Sequence, residues 1–231
     1  MKKKIAISFI ALSFALISSV NAQKSSAIIR GGINFANVSV NGDGDIDDAK
    51  ALTSFQVGII GDIHVASFLY VQPGLIFTGK GTKTQSGTEG SANWYRATSN
   101  PYYLEVPVNL VLKSPTGPVK FFGGAGPYLA IGVGGKNKVN GAILGAQFHS
   151  DEDIRWSDDD PSTLNEEEGS GFGIMKRFDY GLNGLLGIEF TKAVITANYG
   201  LGLAKLQSGS NSGADNNNKH RVFSVTLGLK L

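Results

Sequence analysis

The feature that most limits what this chain can fold into is an alternation of apolar residues at every second position, repeated over eight stretches between Ala27 and Leu231. A period of two turns one face of an extended strand apolar and the other polar, whereas a helix repeats near 3.6. In 221–231 one face carries Phe223, Val225, Leu227, Leu229 and Leu231, and the other carries Val222, Ser224, Thr226, Gly228 and Lys230. A soluble sandwich hides such an apolar face against a second sheet. A barrel in lipid turns it outward and fills its interior with small and polar groups.

The alternation predicts strands over 27–38, 54–65, 68–80, 102–114, 117–133, 174–190, 193–206 and 220–231. Three connections are two residues long, Ala66-Ser67, Pro115-Thr116 and Thr191-Lys192, and four are long, over 39–53, 81–101, 134–173 and 207–219. Short links on one rim and long links on the other are the asymmetry of outer-membrane barrels. The expected fold is therefore all-β, an eight-stranded antiparallel up-and-down transmembrane β-barrel with short periplasmic turns and long extracellular loops. Glycine, at 31 of 231 residues, recurs inside the strands, as tight curvature and a narrow interior require.

Extending the alternation along each strand gives an outward set that includes Ile33, Phe35, Phe55, Val57, Ile59, Leu75, Val106, Leu110, Leu129, Leu182, Leu186 and Ile195, none of it charged. The inward set holds Arg30, Asp62, Glu105, Lys120, Arg177, Asp179, Glu189 and Lys230, four acids against four bases, with Gln72, Asn109, Asn183, Thr196 and Asn198 among them. Charges persist in a dry interior only when paired and hydrogen-bonded. An internal ion-pair network is expected, in a lumen that side chains just fill, so a wide pore is not. If the same groups lay at wet rims, each pair would contribute at most about 1 kcal/mol. Tyr70, Tyr102, Tyr103, Phe121, Phe122, Phe178, Tyr180, Phe190 and Tyr199 fall near strand ends, where interfacial aromatic belts form.

At the N-terminus, Lys2, Lys3 and Lys4 precede an apolar run over 5–20 and the small-residue sequence Val20-Asn21-Ala22. This pattern predicts a secretory signal over 1–22, cleaved before a single barrel domain over 23–231. Its removal takes three lysines and no acid, leaving 18 basic and 19 acidic residues, a net of −1. Nucleic-acid binding needs a clustered basic face, and the sequence shows none. With no cysteine there is neither a disulfide framework nor thiolate chemistry.

Motifs with chemical content are weak. Gly74-Leu75-Ile76-Phe77-Thr78-Gly79-Lys80-Gly81 nearly matches a phosphate-cradling loop, but Gly81 replaces the hydroxyl residue that would hold magnesium. Asp43, Asp45, Asp47 and Asp48 alternate as in a calcium loop, yet Asp48 stands where the turn needs glycine and Ser54 where a bidentate glutamate belongs. The 151–168 segment sets Asp151, Glu152, Asp153, Asp158, Asp159, Asp160, Glu166, Glu167 and Glu168 against Arg155, a net of −8. Solvation is the first reading of both runs, with divalent cations, cationic peptides or a partner's basic patch as candidate ligands. No resident metal or other cofactor is expected. His149, Ser150 and Asp151 are adjacent, so on an extended chain they point apart and make a poor triad.

The segment Tyr102-Tyr103-Leu104-Glu105-Val106-Pro107-Val108-Asn109-Leu110-Val111-Leu112-Lys113 resembles a strand of the PorT-like outer-membrane β-barrel family. Phe122-Gly123-Gly124-Ala125-Gly126-Pro127-Tyr128 resembles that family's next strand, and 221–231 its closing strand. The resemblance implies an eight-stranded barrel in a Gram-negative outer membrane and no single chemistry. Leu231 departs from the aromatic terminus common in such barrels.

Taken together these features predict a porin-like but closed, non-enzymatic barrel. It would be monomeric, surrounded by outer-membrane lipid, and structural, adhesive or surface-interacting through acidic loops. One alternative is a component of an envelope secretion or gliding machinery, with an envelope protein as partner. A second is a soluble periplasmic lipocalin-like ligand-binding barrel, which would need apolar residues inside and polar ones outside.

Overall fold

The computed structural model describes residues 25–39, 50–115, 117–156, 174–206 and 219–231. Its strands are β1 (Ser26–Ser39), β2 (Lys50–Ala66), β3 (Leu69–Gly79), β4 (Thr82–Ser86), β5 (Trp94–Lys113), β6 (Lys120–Ile143), β7 (Ala146–Asp153), β8 (Arg155–Trp156), β9 (Ile174–Met175), β10 (Phe178–Glu189), β11 (Ala193–Gly202) and β12 (Lys219–Lys230). Eight of them close a ring in the order β1-β2-β3-β5-β6-β10-β11-β12, with β12 pairing back onto β1 over Ile28↔Lys230 to Ser39↔Lys219. Every pairing in the ring is antiparallel. Closure leaves no edge strand in the ring, the condition for a sheet to sit in hydrocarbon.

The alternation holds strand by strand. On β12, Phe223, Val225, Leu227 and Leu229 are exposed, while Val222, Ser224 and Thr226 are buried in the lumen. Ile33, Phe55, Ile59, Leu75, Leu110, Leu129 and Leu186 likewise stand outside. This facing is the reverse of a ligand-binding soluble barrel. Among the belt aromatics, Phe121, Phe178, Tyr180, Phe190 and Tyr199 face out, but Tyr103 and Phe122 are buried inside, and Tyr70 packs against the lumen core. β-propensity places aromatics on either face, and the parity of these three assigns them inward.

Two expected loops contain sheet. A tilted strand crosses a bilayer in about 9–11 residues, yet β5 has 20 and β6 has 24. Their far halves pair with each other, Trp94↔Ala142 through Tyr102↔Gly134. β7 adds to β6, and β4 bridges β5 to the start of β2. Residues 82–101 and 134–153 thus form a ribbon projecting past the ring, and the register shift at Tyr102/Tyr103 marks where ring gives way to ribbon. Period-two hydrophobicity disappears beyond that point, where β4 and the far half of β5 carry polar residues at successive positions. At the other rim the links are Ser67-Phe68, residues 114–119 and 190–192, so the second and third are longer than the two residues expected. Residues 1–24, which include the expected signal, lie outside those described.

The lumen is layered. Above an ionic layer near the short links lies an apolar one of Ile28, Ile60, Ile76, Val111, Phe122, Leu185 and Val194. At the ribbon end, Val38, Ile154, Met175 and Leu206, with Trp156 against them, cap the interior. Gly132 and Gly187 are fixed by close approach: a Cβ would enter the Trp156 ring at the first and the Phe122 ring at the second.

Candidate functional site

Two ionic clusters occupy the lumen. In the one nearer the short links, Lys113 Nζ lies 2.6 Å from Asp62 Oδ2 and 2.5 Å from Glu189 Oε2. Lys230 reaches the other Glu189 oxygen at 2.5 Å from the half-wet end of β12. Gln72 Nε2 donates to Asp62 Oδ1 at 2.9 Å, and the Lys113 ammonium sits 4.3 Å from the centre of the Tyr70 ring. Five strands, β2, β3, β5, β10 and β12, each supply a group, so the cluster ties the ring together at that end.

In the second cluster Lys80, just past β3, bridges Glu105 Oε2 at 2.7 Å and Asp179 Oδ2 at 2.8 Å. Tyr128 donates its hydroxyl to Asp179 Oδ2 at 3.1 Å, and its ring lies 4.0 Å beneath the Lys80 ammonium. Asn183 Nδ2 donates to Glu105 Oε1 at 3.3 Å. His220 Nε2 meets the Tyr103 hydroxyl at 3.3 Å. Arg30 is buried between the clusters and interacts electrostatically with Glu105. Its Nε has no protein partner and borders a cavity of about 10 Å³, close to the room one water needs.

Of the residues assigned inward from sequence, Arg30, Asp62, Glu105, Asp179 and Glu189 are buried and Lys230 is partly so. Two stand outside these ion pairs. Lys120 stands opposite Glu189 in the β6–β10 register but is half-exposed at a strand end, and Lys113 and Lys230 hold that carboxylate. Arg177 is exposed at the bend before β10, because the strand begins at Phe178 rather than at 174. Lys80 and Lys113 take their places, leaving four acids and four bases in the lumen. The parity that sends Leu75, Phe77, Leu110 and Leu112 outward also sends Lys80 and Lys113 inward, so the signal was present at the strand ends.

The acidic candidates divide. Asp43, Asp45, Asp47, Asp158, Asp159 and Asp160 lie outside the described residues. Asp151 is on β7, 3.5 Å from Lys136 Nζ and 3.2 Å from Lys138 Nζ on β6. Hydrogen bonding to Lys138, with the Lys136 charge alongside, holds its carboxyl below the usual carboxylate range. These two lysines compensate the acidic run from the facing strand. Asp153 pairs in register with Lys136, and no group of three or more ligating side chains gathers among the described residues.

The remaining motif residues have ordinary partners. Gly74 to Gly79 lie in β3. His149, on a strand rather than in a loop, contacts Asn140 Oδ1 through Nδ1 at 2.5 Å, while Ser150 donates to Glu152 and Asp151 faces the lysines. His64 Nε2 lies 3.2 Å from the Ser67 carbonyl.

The chain matches the family model described as outer membrane protein beta-barrel domain over residues 21–208 and belongs to that family. It is a protein of the outer membrane. Similar solved structures include the attachment invasion locus protein Ail of Yersinia pestis, at 16% identity over 90% of this chain and 100% of that one, with a TM-score of 0.41. Neisserial surface protein A gives 13%, 90%, 99% and 0.38 in the same order, and OprG from Pseudomonas aeruginosa gives 16%, 90%, 96% and 0.38. No curated protein matches. Outer-membrane residence, with the apolar face outward, removes the soluble periplasmic alternative.

Proposed function

We propose that this protein is a monomeric, non-enzymatic, up-and-down barrel with periplasmic short turns, acting at the cell surface through its projecting ribbon. The observation that carries the reading is the continuation of β5, β6 and β7 past the ring to a tip where Ile143 and Leu144 are exposed, Leu144 at 87%. A folded apolar tip held well beyond the membrane serves contact with another surface better than it serves transport through a filled lumen. The acidic runs would bind divalent cations weakly at most.

The test replaces residues 138–151 by a Gly-Ser turn and compares cells for attachment to protein-coated surfaces. Attachment should fall while the barrel keeps its heat-dependent gel shift. Unchanged attachment with the shift retained would remove the ribbon from the function.

A second reading, membership of a secretion or gliding machinery, rests on the PorT-like segment around Tyr103 to Pro107. Tyr103, Glu105 and Pro107 all face the lumen, where they support the barrel and offer a partner nothing. Co-purification with a large envelope complex supports this second reading; a monomer indifferent to loss of such a complex counts against it.

A further inference from the structure

On the outside of the barrel, at the rim that carries the ribbon, three lysines gather over an apolar ledge. Lys176 precedes β10, Lys205 follows β11, and Lys219 opens β12. Backbone hydrogen bonds draw these chain ends together: Lys176 N donates to the Leu206 carbonyl at 2.8 Å, and Leu203 N to the Tyr180 carbonyl at 2.8 Å. The pairing of Leu201 with Arg221 brings Lys219 level with Leu203. The lysines border a pocket of about 400 Å³ whose floor is Phe178, Tyr180 and Leu203, the first exposed at 60%. Among the described residues its lining contains no acid.

We propose that this pocket binds a phosphorylated, acylated lipid of the outer leaflet, its phosphate held by Lys176 and Lys219 with Lys205 beside them, and an acyl chain laid along Phe178, Tyr180 and Leu203. Lysines at the polar edge of an aromatic belt project their ammonium groups toward lipid heads while their stems cover apolar surface. An anionic head is attracted to each such cation near a membrane surface. A free phosphate would use the lysines alone and leave the ledge idle. The ledge continues the lipid-facing surface of β10 and β11, so a molecule that is charged above and greasy below matches both parts. Placing this rim in the outer leaflet rests on the orientation proposed above.

The experiment uses the full chain in dodecyl maltoside with a hexa-acylated, bisphosphorylated glucosamine disaccharide lipid as probe, read by native mass spectrometry. The expected result is retention of one lipid per barrel, weakened about tenfold or more in Lys176→Glu/Lys219→Glu. The dephosphorylated lipid should bind as weakly as that variant does. Phe178→Ser, which keeps the lysines, should also weaken retention. Lys176→Gln/Lys219→Gln gives the same comparison without charge reversal, and the gel shift reports that each variant is folded.

Equal retention by wild type and folded variants would overturn the proposal. So would equal displacement by inorganic phosphate at matched concentration, which would indicate an anion site, or preference for a sulfated sugar without acyl chains. Orientation is read separately in cells, because the chain has no cysteine. Gln147→Cys in β7 should react with a membrane-impermeant maleimide and Thr191→Cys should not. The reverse pattern would refute the orientation while the micelle result still decided the pocket.

Discussion

Lys113 is the residue on which the lower lumen turns. Its ammonium is within 2.6 Å of both Asp62 and Glu189, and its side chain is 2% exposed, so neither carboxylate can exchange it for water. Lys113→Met would leave two buried acids sharing the half-wet Lys230. Breaking a buried pair by removing one partner costs about 3–5 kcal/mol. Urea unfolding in lipid vesicles should show that loss, whereas Lys120→Met or Arg177→Met should change stability by less than about 1 kcal/mol. An unchanged midpoint for Lys113→Met would place the cluster in water. The acids of both clusters were legible in the sequence because each falls on the polar parity of an alternating strand, even Asp179 and Glu189 at the two ends of β10. Two of their partners were missed because Lys80 and Lys113 sit at strand ends, where a lysine also reads as a solvated cap. Only parity distinguishes the two.

At the scale of elements, the ring strands announce themselves through the apolar face that lipid demands, and the ribbon does not. Thr82 to Ser86 is polar on both faces and Trp94 to Asn100 carries no alternating apolar face, and such segments are indistinguishable from loop until their cross-strand partners are known. What specifies the β6–β7 hairpin is pairing, including the link from Asp151 to Lys138 and Lys136. The depressed Asp151 carboxyl has a definite consequence for pH dependence. A group whose folded titration point lies below its unfolded one favours the hairpin above the unfolded value, and that preference fades as pH falls through the folded one. The Asp151 carboxyl carbon, followed by NMR on acidification, should titrate below the ordinary aspartate range and move up toward it in Lys138→Ala. A midpoint identical in the two proteins would show that the lysine contact does not form in solution.

For the whole molecule, closure follows from an even count of strands joined by alternating short and long links, while the packing of the lumen does not. An interior read as uniformly polar in fact contains a transverse layer of seven apolar side chains, with an ionic cluster on each side. Ile28, Ile60, Ile76 and Val111 all point inward by parity, but strands with apolar residues on both faces look merely hydrophobic in sequence. Beyond room for about one water beside Arg30 such a layer leaves no aqueous path, and an apolar constriction between paired charges is a barrier to ions. Recordings in planar bilayers should therefore show no stable step of porin size. Phe122 is the aromatic side chain in that layer. Phe122→Ala should weaken the barrel by about 3–5 kcal/mol without opening it, because the Lys113 and Lys80 clusters still fill the lumen on either side. A long-lived conductance in the wild-type protein would refute the filled lumen. One appearing only in Phe122→Ala would show that the apolar layer alone, and not the ion pairs, closes the barrel.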